Sequence, residues 1–152
     1  MGFMIRSAAF GEGETIPRRH TCEGENVSPA LDWSGAPPHT RGFALLCDDP
    51  DAPGGVWTHW MLWDLPPTAA QLAEGYSPEA GVKTGTNDFG RPGYGGPGPP
   101  KGHGPHRYSF KLFALNVASL GLKPGARRRE FDAALKGKLL AETWCMGRYE
   151  RK

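Results

Sequence analysis

Alternation of apolar and polar residues is clearest late in the chain, from Arg107 to Asn116. Every second residue of this segment is aromatic or aliphatic: Tyr108, Phe110, Leu112 and Ala114. Successive side chains of a strand point to opposite faces, so this spacing predicts a β-strand with one buried face.

Two earlier segments are apolar without alternation. They run from Gly42 to Cys47 and from Trp57 to Leu65. Short continuous apolar runs are typical of strands that are buried on both faces. Pro66 lacks the N–H that a sheet ladder needs, so the second strand is predicted to end before it.

The first part of the chain has weaker signals. Phe3 to Phe10 predicts a strand, Thr15 to Asn26 a loop with a short strand, and Ala30 to Trp33 a short edge strand. Glycine and proline residues, which favour turns, separate these segments.

One helix is predicted near the carboxyl end, beginning at Pro124. A one-sided stripe at near-helical spacing supports it: Phe131, Ala134, Leu135, Lys138, Leu139 and Glu142. Gly137 interrupts the stripe at a cost of up to about 1 kcal/mol relative to alanine. Ala141 to Tyr149 is compatible with a final strand. Several strands and one late helix predict a single domain, residues 1–152, built mainly on antiparallel sheet.

The segment from Gly90 to Pro105 is too rich in glycine and proline for a helix or a central strand. It contains Tyr94, Lys101 and His103 and no run of serines. We therefore interpret it as an ordered functional loop rather than a flexible linker.

Charge and composition argue against several classes of function. The formal net charge is +2, from 18 basic and 16 acidic residues, and this balance argues against bulk nucleic-acid binding. No segment approaches the roughly 20 apolar residues of a membrane span, and no leader-like run begins the chain, so a cytoplasmic location is predicted. The three cysteines, Cys22, Cys47 and Cys145, lack the spacing of a disulfide framework or a zinc site.

Two segments concentrate the polar chemistry. The first is Asp48-Asp49-Pro50-Asp51-Ala52-Pro53, followed by Trp57-Thr58-His59-Trp60; the second runs from Gly95 to Tyr108. The first places carboxylates directly after a buried strand. In the second, glycines allow backbone N–H groups to approach a ligand, and successive N–H groups can form an anion-binding concavity.

His106 and Tyr108 lie two residues apart on the predicted strand and therefore share a face. Together with Asp49 and His59 they are candidates to line one pocket. Each feature also has a structural interpretation, because a strand histidine, an Asp-Pro-Asp turn and a Gly/Pro loop are common without any site.

The same segments resemble the two signature regions of the phosphatidylethanolamine-binding protein family. That family has an Asp-Pro-Asp-Ala-Pro motif with a downstream histidine, and a Gly-x-Pro-Pro-x-Gly motif followed by His-Arg-Tyr. The stretch from Ile16 to Trp33 is similar to its bacterial, Raf kinase inhibitor-like branch, and the resemblance covers essentially the whole chain. Two departures are the extra acid Asp48 and Thr58, where some eukaryotic members have histidine.

The resemblance implies a central antiparallel sheet packed on a second, smaller sheet, with peripheral helices. It also implies a pocket for phosphate-like anions. Residue by residue, the expected ligand-binding set is Asp49, His59, Gly98, His106 and Tyr108, with Asp51, Pro53 and Trp57 shaping the rim and wall.

The function that this resemblance implies is non-catalytic and needs no cofactor or metal. The expected partners are a small anion or phospholipid head group and a regulated protein such as a kinase or protease, and a homodimer is compatible with the branch. Arg91, Tyr94 and Lys101 are predicted to be available to a protein partner at the pocket mouth.

Two alternatives stay open from the residues. One is a hydrolase that uses His106 or His59 as a base, although no Gly-x-Ser-x-Gly nucleophile pattern is present. The other is a metal site drawn from Asp49, His59, His103 and His106, which include acceptable zinc or copper ligands.

Overall fold

The computed structural model describes residues 2–152 as two antiparallel sheets with a short helix on the outer face of the larger sheet. The strands are β1 (Met4–Arg6), β2 (Leu31–Ser34), β3 (Gly42–Asp49), β4 (Trp57–Leu65), β5 (Gln71–Leu72), β6 (Lys83–Thr84), β7 (His106–Leu115) and β8 (Leu139–Tyr149). A 3₁₀ helix covers Arg18–His20, and the α-helix, α1, covers Arg128–Leu135.

The larger sheet has the strand order β6-β4-β3-β7-β8, and the smaller sheet has the order β1-β2-β5. Every pairing within both sheets is antiparallel. This architecture confirms the predicted fold class, a mainly β protein with a central sheet and a second, smaller one.

Strand β3 is buried at all eight of its residues because it lies between two hydrophobic cores. Phe43, Leu45 and Cys47 point into the core between the sheets. Ala44 and Leu46 point to the other side, where the second core includes Phe131 and Leu135 of α1. Burial on both faces explains why the sequence of this strand is continuously apolar.

The predicted helix is shorter than its apolar stripe suggested. It ends at Leu135, and Gly137 adopts a φ of +77°, a left-handed conformation that glycine takes at little cost. The chain then enters β8 at Leu139, so Leu139 and Glu142 belong to a strand instead.

Three amino-terminal expectations also need correction. The first strand covers only Met4–Arg6, and the segment from 15 to 26 contains a 3₁₀ helix in place of a strand. The strand at Leu31–Ser34 is central, between β1 and β5, and not an edge. Such short strands carry too few residues for a pattern to reveal their neighbours.

Candidate functional site

The site forms where the end of β3 lies beside the beginnings of β4 and β7. Asp49 of β3 pairs with Trp57 of β4, and Asp48 pairs with Ser109 of β7. Because both neighbours run antiparallel to β3, residues distant in sequence meet at this end of the sheet.

The pairing of β3 with β4 contains an irregularity at the site. Cys47 lies opposite Trp60, but the next residue, Asp48, lies opposite Thr58, so His59 has no partner in the ladder. Such an extra residue is a β-bulge, which changes the direction of a side chain. His59 lines the pocket, and the adjacent Trp60 lies in the core between the sheets, which also contains Tyr108.

A cavity of about 230 Å³ opens at this position. Seven of the eight residues expected from the sequence line it: Asp49, Pro53, Trp57, His59, Gly98, His106 and Tyr108. The remaining lining residues are Ala52, Phe89, Pro99 and Pro100. The two signature segments therefore converge on one pocket.

A chain of three hydrogen-bonded side chains runs from the cavity wall to the protein surface. The Nδ1 atom of His106 lies 2.7 Å from Oδ2 of Asp49, and its Nε2 atom lies 2.6 Å from Nδ1 of His103. Asp49 and His106 are buried, whereas His103 is exposed. An ionised carboxylate only accepts hydrogen bonds, so His106 Nδ1 carries a proton and donates it to Asp49.

His59 is held by the glycine-rich loop. Its Nδ1 lies 2.6 Å from the carbonyl oxygen of Gly95, and its main-chain carbonyl accepts a hydrogen bond from the Gly95 N–H. A carbonyl only accepts, so His59 Nδ1–H is the donor. Burial lowers the pKa of His59, which favours the neutral ring, with Nε2 free as an acceptor.

The Tyr108 hydroxyl is the only buried side-chain nitrogen or oxygen atom in residues 2–152 without a hydrogen-bond partner. Burial, aided by the charge of Asp49, raises the pKa of Tyr108, so the phenol stays protonated and is available as a donor. Leaving such a group unpaired costs roughly 1–3 kcal/mol. This hydroxyl belongs to a residue of the cavity wall.

The glycine-rich loop is ordered by contacts with the amino-terminal segment. Gly96 N–H donates to Asn26 Oδ1 at 2.8 Å, and Cys22 N–H donates to the Pro97 carbonyl at 2.9 Å. A Cβ atom at position 96 would lie 2.2 Å from the His20 carbonyl oxygen, so only glycine fits there. These contacts hold Gly98 at the cavity wall.

Asp51 is the expected site residue that does not line the cavity. Its carboxylate accepts hydrogen bonds from the main chain and the guanidinium of Arg107, at 2.8–2.9 Å. The hydrogen bond from the Arg107 side chain lowers the pKa of Asp51 to about 2. Asp51 thus ties the turn after β3 to the first residues of β7, and its role is in supporting the rim.

One of the three residues that were predicted to be available to a protein partner does not point outward. Tyr94 turns inward, donates its hydroxyl proton to the His20 carbonyl at 2.7 Å and packs edge-on against Trp60. Arg91 and Lys101 are exposed as expected.

Sequence reasoning did not identify Phe89, which packs edge-on against Trp57 and His59 at centroid distances of 5.5 and 5.4 Å. Phe89 lies outside both motifs and outside any periodic segment, so the sequence offers no signal for it.

The part of the chain that the structure describes contains no group of three or more His, Cys, Asp or Glu side chains arranged to hold a metal ion. In the same residues, none of the helices has the length and apolar character needed to cross a membrane.

Comparison with known proteins agrees with this fold. The family model described as phosphatidylethanolamine-binding protein matches residues 6–150. The chain therefore belongs to the phosphatidylethanolamine-binding protein family, and the resemblance seen in its motifs is confirmed.

Individual relatives come from bacteria and archaea. A "UPF0098 protein" of Aquifex aeolicus is 50% identical over 150 residues, which cover 97% of this chain and 88% of the relative. A "UPF0098 protein" of Methanothermobacter thermautotrophicus is 44% identical, with 97% and 98% coverage. The crystal structure of Escherichia coli YbcL, described as a member of the mammalian PEBP family, matches with a TM-score of 0.94 at 35% identity over the full length of both chains.

Proposed function

We propose that this protein is a non-catalytic binding protein whose cavity takes a small anion of the phosphate or phosphoethanolamine type. The observation that carries the proposal is the buried, unpartnered hydroxyl of Tyr108 at a cavity that also presents the Asp49–His106 pair. A donor without a partner, at the wall of a mostly apolar cavity, is suited to an acceptor oxygen of a ligand.

A carboxylate beside an anion needs a physical explanation. Asp49 uses Oδ1 to accept the Asp51 N–H at 2.7 Å and Oδ2 to accept from His106, which leaves each oxygen further acceptor capacity. A monoprotonated phosphate can donate its own proton to Asp49 while its other oxygens accept from Tyr108. An ethanolamine ammonium near the carboxylate is the alternative arrangement.

The proposal that the protein is not an enzyme rests on the cavity wall. The lining residues include no serine, threonine or cysteine, the side chains that most often act as activated nucleophiles. The Asp49–His106 pair resembles the base of a hydrolase, but it has no such nucleophile to activate. Phosphoester hydrolysis that disappears in His106→Ala would contradict this part of the proposal.

Calorimetric titration with inorganic phosphate and with phosphoethanolamine tests the binding. We expect both to bind to the native protein, and Tyr108→Phe to reduce affinity about fivefold, the effect of one hydrogen bond of average strength. Tyr76→Phe is the matched control, because Tyr76 lies outside the cavity lining and its oxygen only accepts a long 3.5 Å bond from the Glu79 N–H. Equal affinities in all three proteins would contradict the proposal.

We further propose that a protein partner, such as a kinase or protease, binds at the mouth of the same cavity. Three apolar side chains are exposed at or near this mouth: Val56, Trp57 and Phe89. Exposed aromatic residues beside a pocket are typical of protein contact surfaces. If the sites are coupled, saturating phosphate must change the affinity for a partner, and unchanged affinity would exclude the coupling.

A further inference from the structure

Both ring nitrogens of His106 are already engaged within the chain. Nδ1 donates to Asp49 at 2.7 Å, and Nε2 lies 2.6 Å from Nδ1 of His103. The His106 ring is 2% exposed and belongs to the cavity wall, whereas His103 is exposed and is not part of that wall. His106 therefore has no free nitrogen for a ligand while His103 is in place.

The protonation of His106 decides which ring donates in its hydrogen bond with His103. With its Nδ1 proton directed at Asp49, a neutral His106 has only a lone pair at Nε2, so it accepts from His103 Nδ1–H. A doubly protonated His106 instead donates from Nε2 to His103. An anion oxygen can accept from Nε2 only in the doubly protonated ring, and there it competes with the His103 ring for the same proton.

The other side chains of the cavity wall offer few hydrogen-bond donors to an anion. Tyr108 supplies one neutral donor. His59 directs its Nδ1 proton to Gly95, and its other nitrogen is an acceptor in the neutral ring. A charge-assisted hydrogen bond to the anion, which is about twice as strong as a neutral one, has to come from His106 Nε2.

The backbone around His103 is held by hydrogen bonds, whereas its side chain is exposed. Gly102 N–H donates to the Arg151 carbonyl, and His103 N–H donates to the Pro100 carbonyl. The two flanking glycines, Gly102 and Gly104, are surrounded by open space, because a Cβ atom added to either would have no neighbouring atom within 4 Å. Rotation of an exposed side chain is fast, so the His103 ring can leave this contact rapidly.

We propose that His103 is a displaceable cap on His106, so that the His103–His106 contact and anion binding at His106 Nε2 exclude each other. This inference rests on the proposed anion-binding function and describes how the same site is regulated. His103 lowers the apparent affinity of the pocket by the equilibrium constant of the capped state.

Three variants test the cap with inorganic phosphate as the probe. His103→Ala removes the competing ring and is expected to bind phosphate about fivefold more tightly, the effect of releasing one ordinary hydrogen bond. His103→Asn keeps a polar group that can reach His106 and is expected to restore affinity close to the native value. Lys101→Ala, an exposed residue of the same loop, is the control for loss of positive charge, and it is expected not to increase affinity.

The imidazole nitrogens provide a direct readout by nuclear magnetic resonance. Saturating phosphate is expected to move the His103 Nδ1 signal to that of a solvent-exposed ring. Phosphate binding with equal or weaker affinity in His103→Ala, or an unchanged His103 signal at saturation, would overturn the cap alone. Absence of phosphate binding in both native protein and His103→Ala would overturn the proposed function, and the cap with it.

Discussion

Asp48 and Asp49 are consecutive residues at the end of β3, and both are 3% exposed, yet their surroundings differ. Asp48 faces the helix side of the sheet, where it meets two cations: Arg128 Nη1 at 3.0 Å and Lys111 Nζ at 3.6 Å. Asp49 faces the cavity, where its side-chain partner is the imidazole of His106.

The difference separates a structural carboxylate from a candidate functional one. Arg128 also donates to the Thr58 hydroxyl at 3.0 Å, so the Asp48 cluster joins α1 to β3 and β4. Asp49 instead borders a cavity that contains an unsatisfied hydroxyl. Burial of a charge alone does not identify a site; unused hydrogen-bonding capacity around it does.

The largest expected effect is on stability, from Asp48→Asn. Breaking a buried ion pair costs about 3–5 kcal/mol, and partial exposure of Arg128 reduces the expected loss to about 2–3 kcal/mol. Urea denaturation measures it, and phosphate affinity is expected to stay unchanged. Asp132→Asn is the control, because Asp132 contacts the same arginine from an exposed position. Equal losses from the two variants would show that Asp48 is not the structural carboxylate.

His106→Ala tests the functional side of the comparison. The loss of a hydrogen bond to a charged ligand is expected to weaken phosphate binding by about 1–3 kcal/mol at every pH between 6 and 8. Calorimetry measures the change. An affinity equal to that of the native protein would mean that the anion does not use this ring.

Asp49→Asn is expected to change the pH dependence of binding. Phosphate esters lose their second proton near pH 6, so native affinity should fall between about pH 6 and 8 as the proton shared with Asp49 is lost. Burial lowers the pKa of His59, so loss of charge on this ring contributes less to the fall than it would for an exposed histidine. An amide can donate to the dianion, so the variant should show a flatter profile. Native affinity that rises with pH would instead favour the ammonium arrangement.

Asp51→Asn is expected to have the smallest effect. A depressed carboxyl pKa stabilises the fold above the unfolded value of 3.8, and this contribution is lost as the pH falls towards about 2. The contribution is small, because the Arg107 and Asp51 side chains are 53% and 29% exposed and solvent screens the pair. Thermal unfolding from pH 5 to 2 measures it: the difference between native protein and variant should narrow as the pH falls.

Long periodic or apolar segments were predicted well from the sequence. The predicted strand Trp57–Leu65 has the observed bounds, and β7 begins one residue earlier than predicted. Both strands are long enough for the pattern to dominate. The helix was overextended because Leu139 continues a helical spacing by coincidence, while the conformation of Gly137 ends the helix.

The residues of the site were predictable from the sequence, but the side chains that they contact were not. Motif matching identified seven of the residues in the wall, since each motif keeps its residue types in order. It did not show that Asp51 turns to Arg107, that His103 contacts His106, or that Asp48 pairs with Arg128. These contacts depend on distances between segments that are remote in sequence.

Because His59 has no partner in β3, the pocket depends on the number of residues in this part of β4 as well as on their identity. Deletion of this residue would remove the bulge, but Thr58 would still lie opposite Asp48 and Trp57 opposite Asp49, because their pairing already compensates for the extra residue. No side chain would then take the position of His59 in the cavity wall. A homologue with one residue fewer between Thr58 and Trp60 would therefore keep the pairing of the sheet and lose one side chain of the pocket.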